Sequence, residues 1–143
     1  MGDKARHKLF VETLPGTARD RLEDARALLK AGRWSGAAYM SGYAVELGLK
    51  WKMCQALNWK EYPEAGLENK LVAALKTHDL IELSVLAGVS AGIKDSESVF
   101  PHWNIISKWG SEQRYQPKDM TTEDQAMTDV EAAGAVLDYL LDA

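Results

Sequence analysis

Cysteine, proline and long apolar runs are all scarce in this sequence, and each scarcity excludes a class of protein. The single cysteine, Cys54, excludes a disulfide framework within the chain and is typical of a protein in a reducing compartment. The longest uncharged stretch, residues 34–45, is shorter than the roughly 18 apolar residues that a membrane-spanning helix needs. No long apolar run follows the basic residues near the N-terminus, so we expect no secretion signal, no membrane association and a cytoplasmic location.

The charge balance limits the ligands that the chain can bind. A formal net charge of −4 and a pI of about 5.4 disfavour bulk, nonspecific binding to nucleic acid, which requires many neutralised phosphates. A small local site for a nucleotide or a short RNA remains compatible with this charge. The length of 143 residues and the 46% of hydrophobic residues fit one globular domain spanning residues 1–143.

Apolar residues recur at helical spacing along most of the chain. They predict four long helices near residues 16–31, 34–57, 98–110 and 122–141, and short helices near 67–76 and 80–87. Residues 89–95 and 111–120 are expected to be loops. No segment has the pattern of a strand, so the predicted fold class is all-α, an antiparallel up-down four-helix bundle with short extra helices.

Small residues mark the second helix as the centre of the bundle. Gly36, Gly42 and Gly48 lie inside this helix, where each glycine costs roughly 1 kcal/mol relative to alanine. Three glycines in one helix predict that another backbone comes very close to it. Cys54, in the last turn, is expected to be a small buried residue rather than a reactive thiol.

Residues typical of helix ends occur at three places. Gly32 is expected to end the first long helix in a left-handed conformation. Asp79, followed by Glu82 three residues later, predicts a capped helix start. Thr121 and Asp124 predict a similar cap for the last helix.

A polar set on the second helix is the first candidate site. Tyr43, Glu46 and Lys50 are spaced three and four residues apart and therefore share a face. Glu46 precedes Lys50 by four residues, which is the favourable order for an ion pair. The set forms either a structural pair between helices or the polar lining of a pocket.

The segment around His78 and Asp79 is the second candidate. Asp79 is expected to cap a helix, and His78 either packs or contributes a hydrogen-bonding group to a site. His7, His78 and His102 lack the spacing of metal ligands, and no phosphate-binding or dinucleotide-binding motif occurs, so we expect neither a metal nor a cofactor.

A third candidate follows the predicted helix at residues 98–110. Arg114 next to Tyr115 could hold a phosphate and stack on a base, with Asn104 and Trp109 nearby in the sequence. Alternatively, Arg114 pairs with Glu112 while Tyr115 packs on the end of the bundle.

Three of these stretches, in this order, resemble the HEPN family of helical domains. Residues 31–50 resemble its second helix, with small residues, a tyrosine, a glutamate and Leu-Lys; residues 78–80 resemble its His-Asp-Leu element; and residues 109–115 resemble its segment of Trp, acidic residue and Arg-Tyr. The resemblance covers roughly residues 16–141. It implies an antiparallel helical bundle, a homodimer, and roles in RNA or nucleotide handling. Many members are toxins or antitoxin partners of minimal nucleotidyltransferases.

The resemblance also implies a division between catalytic and non-catalytic members. HEPN ribonucleases carry an arginine followed four to six residues later by a histidine, and no arginine of this chain meets that spacing. The sequence therefore predicts a non-catalytic module that binds a nucleotide, RNA or a nucleotidyltransferase partner. One alternative is a divergent ribonuclease that uses His78 or His102 with Arg114. The other is a homodimeric scaffold whose aromatic surface includes Trp34, Trp51, Trp59 and Tyr62.

Overall fold

A computed structural model describes residues 9–58, 61–62, 77–110 and 120–142 of the chain. Within these residues lie six α-helices that pack together: α1 (Leu14–Lys30), α2 (Trp34–Ala56), α3 (Leu80–Leu86), α4 (Ser90–Asp95), α5 (Phe100–Ile106) and α6 (Glu123–Asp142). A 3-10 turn, Val11–Thr13, precedes α1. Two strands of two residues, β1 (Leu9–Phe10) and β2 (Glu61–Tyr62), pair antiparallel. The all-α class is therefore confirmed for the described residues.

Helices α1 and α2 form a hairpin closed by the predicted glycine cap. Gly32 has a φ of +78°, its amide donates to Leu29 O at 3.1 Å, and the amide of Arg33 donates to Leu28 O at 2.8 Å. These two bonds satisfy carbonyls that the helix end would leave unpaired, which is the Schellman arrangement. Gly88 ends α3 in the same way, with a φ of +73°.

Helix α2 lies at the centre of the molecule, in contact with α1, α3 and α6. Every residue from Ala44 to Lys50 is buried, so this helix has no solvated face over two turns. The glycines permit that burial. A Cβ on Gly48 would come within 2.7 Å of Leu137 Cδ1 on α6, a distance that real Cβ contacts do not show. The atoms that come this close belong to side chains of α6, so the approach of another backbone that the small residues predict is not shown at this position.

Helix α6 carries its predicted apolar stripe into the core. Its members all have 5% or less of their surface exposed: Ala126, Val130, Ala133, Leu137 and Leu140. The predicted cap was displaced by one residue, because Thr122 Oγ1, not Thr121, accepts the hydrogen bond from the amide of Gln125 at 3.1 Å. Thr121 is buried instead.

Two predicted boundaries around residues 89–110 were wrong. Residues 90–95 form helix α4, although two glycines lie nearby, because Ile93 inserts fully into the core and tertiary packing outweighs weak local propensity. The predicted helix 98–110 is shorter, from Phe100 to Ile106, with proline in its first turn as expected. The predicted short helix at 67–76 lies outside the described residues.

Among the described residues, no helix combines the length and the apolarity that crossing a membrane requires.

Candidate functional site

The carboxylate of Glu46 is the most unusual group in the core. It lies on α2 with a side chain only 2% exposed, and it binds two partners. Its Oε2 accepts from Lys50 Nζ at 3.1 Å, and its Oε1 lies 2.8 Å from His78 Nδ1. A buried carboxylate is tolerated only when it is paired and hydrogen-bonded. The predicted pair of Glu46 and Lys50 is confirmed, and the structure joins it to His78.

Tyr43 shares this face of α2 and is half-buried. Its ring stacks on that of Tyr39, with centroids 6.4 Å apart. Burial, reinforced by the charge of Glu46, raises the pKa of the Tyr43 phenol. Tyr43 is therefore a neutral hydroxyl at physiological pH, next to a buried charge pair.

His78 is held at the surface by the start of α3. The Asp79 side chain accepts from the amide of Glu82 at 3.1 Å, so the predicted cap is confirmed. Thr77 completes it, since its hydroxyl accepts from the amide of Asp79 at 3.1 Å and donates to the Glu82 carboxylate at 3.2 Å. These bonds fix the backbone on both sides of His78.

One nitrogen of the His78 imidazole contacts a buried group, while much of the ring is accessible to solvent. Its side chain is 53% exposed, although Nδ1 contacts a carboxylate that is almost fully buried. With Nδ1 donating to Glu46, the neutral ring has Nε2 as its acceptor. A carboxylate that fixes the tautomer and orientation of a histidine prepares it to bind a ligand or to move a proton.

Trp109 packs beside this network, with 6% of its surface exposed. Its ring lies directly on the backbone of α2 at Gly42, where any Cβ would overlap ring atoms Cγ, Cδ1 and Cδ2. The ring of Tyr39 lies 5.8 Å away, centroid to centroid. The indole Nε1 is buried and makes no hydrogen bond within the described part of the chain.

Two open clefts flank Trp109. Cleft A, of about 280 Å³, is lined by His78, Asp79, Ile81, Ser107, Lys108, Trp109 and Gly110. Cleft B, of about 410 Å³, is lined by Ile105, Lys108, Trp109, Asp124, Gln125, Thr128 and Asp129. Lys108 and Trp109 line both clefts and so form the ridge between them.

Asp129 of α6 lines cleft B and is partly buried. Burial raises the pKa of Asp129 to about 6, from an ordinary value of 3.8. The folded state therefore binds this proton more tightly than the unfolded state does. Its contribution to stability is complete below about pH 4 and is lost as the pH rises through 6.

Replacing Asp129 by asparagine is therefore expected to stabilise the protein at neutral pH. At pH 7.5 the free energy of unfolding should rise by about 1 kcal/mol, a figure reduced from the full shift because the side chain is partly solvated. At pH 5 the gain should be smaller, since Asp129 is then mostly protonated. Urea unfolding at both values measures the difference. Asp124→Asn, on the same helix and exposed, is the control, and an equal gain in it would contradict this account.

The structure brings together most, but not all, of the residues that the sequence indicates. Glu46, Lys50, His78, Asp79 and Trp109 lie around cleft A or directly behind it. Asn104 is exposed and lines neither cleft, because Trp103 and Ile106 are the buried positions of α5. Glu112, Arg114 and Tyr115 lie outside the described residues.

Sequence reasoning missed Lys108 and Asp129. Lys108 lies in the turn after α5, and its position directly before Trp109 could have marked it as a candidate in the sequence. Nothing in the sequence distinguishes Asp129 from the other charged residues of α6. Cys54 is fully buried, as expected, and burial raises the pKa of its thiol to about 11, which makes it unreactive.

The described residues contain no group of three potential metal ligands. No protein-family model matches the chain, and comparison with curated proteins and with solved structures gives no match either. The resemblance to HEPN proteins accordingly rests on the sequence motifs alone.

Proposed function

We propose that the chain is a non-catalytic, HEPN-like four-helix bundle that binds RNA or a nucleotide at cleft A. The observation that carries the proposal is the hydrogen bond from His78 to the buried carboxylate of Glu46. The buried carboxylate of Glu46 holds the half-exposed ring of His78 in one orientation. This arrangement supports a binding role for His78. Because 53% of the His78 side chain is exposed, a ligand can reach the ring.

The chemistry of cleft A suits a phosphate next to an apolar group. Lys108 supplies a charged hydrogen-bond donor, and charge-assisted bonds to phosphate oxygens are among the stronger polar contacts in proteins. Nε2 of His78 offers an acceptor to a hydroxyl or amino group of the same ligand. Ile81, 55% exposed, offers an apolar surface to a base or ribose. Few cations are involved, and the net charge is −4, so the expected ligand is a nucleotide or a short single strand.

Arg114 and Tyr115 belong to the same proposal. They follow Gly110, which lines cleft A, by four and five residues in the sequence. An arginine can hold a phosphate with two parallel hydrogen bonds, and a tyrosine can stack on a base. We assign them these roles in the bound state.

Replacing Lys108 by alanine is expected to weaken binding of a short single-stranded RNA about tenfold, the effect of removing one charged hydrogen bond. The Tm should change little, because Lys108 is exposed. Fluorescence anisotropy of end-labelled RNA in the presence of chelator measures the affinity. Lys94→Ala removes another exposed cation, on α4, which lines neither cleft, and is the matched control. Arg114→Ala should weaken binding at least as much.

Equal affinities for wild type, Lys108→Ala and Arg114→Ala would contradict the proposed site. RNA that neither binds nor is cleaved would favour the protein partners that the resemblance implies, a nucleotidyltransferase or a second copy of the chain.

A second candidate function, a divergent ribonuclease, is favoured by the same hydrogen bond. A histidine oriented by a carboxylate is a suitable general base, and Arg114 would stabilise the charge that develops on the phosphate. Metal-independent RNA cleavage that His78→Ala abolishes would support this candidate. Cleavage that survives both His78→Ala and His102→Ala would exclude it.

A further inference from the structure

We propose that the Trp109 indole is a movable partition between clefts A and B, and that its displacement joins them into one pocket. One of these clefts, cleft A, is the site of the proposed function, but the present proposal depends on packing alone and requires no ligand. It therefore stands or fails separately from RNA binding.

The position of Trp109 makes it the wall between the clefts. Of the residues that the structure describes, only Lys108 and Trp109 line both spaces, and Lys108 is exposed while the indole is buried. Moving the indole away from Gly42 would therefore remove the solid part of the ridge. A ligand longer than either cleft could then lie across both.

With the Trp109 indole packed on Gly42, one of its polar groups lacks a hydrogen bond. The indole Nε1–H is buried, yet it has no acceptor within the described residues. A buried donor without a partner disfavours the state that buries it, because the donor would regain a hydrogen bond in water. The packing that opposes release includes the contact with α2 at Gly42 and the ring of Tyr39, within the hydrophobic core.

The backbone at Trp109 also permits movement. Trp109 lies beyond the end of α5, and its amide donates to Ile106 O at 3.0 Å in a turn rather than within a helix. Trp103 is equally buried, with 6% of its surface exposed, but it lies inside α5. The two tryptophans thus differ in anchoring and not in exposure.

Fluorine NMR of the protein labelled with 5-fluorotryptophan tests the proposal on all five tryptophans. Trp109→Phe assigns the signal of Trp109. That signal should show microsecond-to-millisecond relaxation dispersion, with a minor state of about 1% or more, while the signal of Trp103 stays flat. A flat profile at Trp109 would overturn the proposal.

Gly42→Ala provides a second test, because the added Cβ would occupy space that the Trp109 indole fills. In this variant the Trp109 signal should move towards that of free 5-fluorotryptophan and gain a solvent isotope shift, while the Trp103 signal does not. A Trp109 signal unchanged in a folded Gly42→Ala protein would also overturn the proposal. If this variant does not fold, the dispersion of the wild-type protein decides alone.

Discussion

Replacing Glu46 by alanine is expected to lower the free energy of unfolding by about 3 to 5 kcal/mol, the cost of breaking a buried ion pair from one side. The Lys50 side chain is only 7% exposed and would lose this carboxylate as a partner while remaining in the core. His78 would lose the hydrogen bond that orients it. Urea unfolding followed by circular dichroism measures the change.

A surface ion pair is the matched control for Glu46. Asp138 accepts from Arg19 at 3.4 Å, but both side chains are about half exposed or more, and such pairs contribute between 0 and 1 kcal/mol. Asp138→Ala should therefore change stability by less than about 0.5 kcal/mol. Similar losses in the two variants would show that the buried position of Glu46 does not determine its energetic role.

Replacing Gly42 by alanine is expected to destabilise the protein by about 2 kcal/mol, although alanine favours helix formation more than glycine does. The new Cβ would overlap the part of the Trp109 ring nearest its backbone, so the ring cannot yield by a small side-chain movement. Either the indole leaves its seat or α2 and the turn after α5 separate. Thermal unfolding measures the loss as a lower Tm.

Gly36→Ala, in the same helix, is the control for this effect. The atom nearest to its Cβ would be Leu28 Cδ1, at 3.4 Å, which is an ordinary contact with a flexible side chain. This variant should be neutral or more stable by up to about 1 kcal/mol, the gain in helix propensity. A loss equal to that of Gly42→Ala would indicate that helix α2 tolerates no added atom anywhere.

The parts of the fold that the sequence predicts are those governed by local periodicity. The stripe of α6, the cap at Asp79 and the left-handed glycine at Gly32 all depend on residues within a few positions of one another. The buried pair of Glu46 and Lys50 belongs to the same group, since i,i+4 spacing places both on one face.

The parts that the sequence does not predict depend on distant packing. The hydrogen bond between Glu46 and His78 joins residues 32 positions apart, so no local sequence pattern predicts it. Helix α4 forms because Ile93 reaches the core, and the raised pKa of Asp129 arises from burial that only the packed structure creates. The sequence therefore predicts candidate residues, but it does not predict the clefts that these residues line.

The pairing of Glu46 with Lys50 also has a consequence for how the chain folds. Both charges lie one turn apart in one helix, so the pair can form as soon as α2 does, on the microsecond scale of helix formation. We therefore expect this helix to enter the collapsing core with its two charges already joined. His78 precedes a separate helix, α3, so its hydrogen bond to Glu46 can form only when α3 packs against α2. The expected order is charge pairing before burial, with the candidate site fixed last.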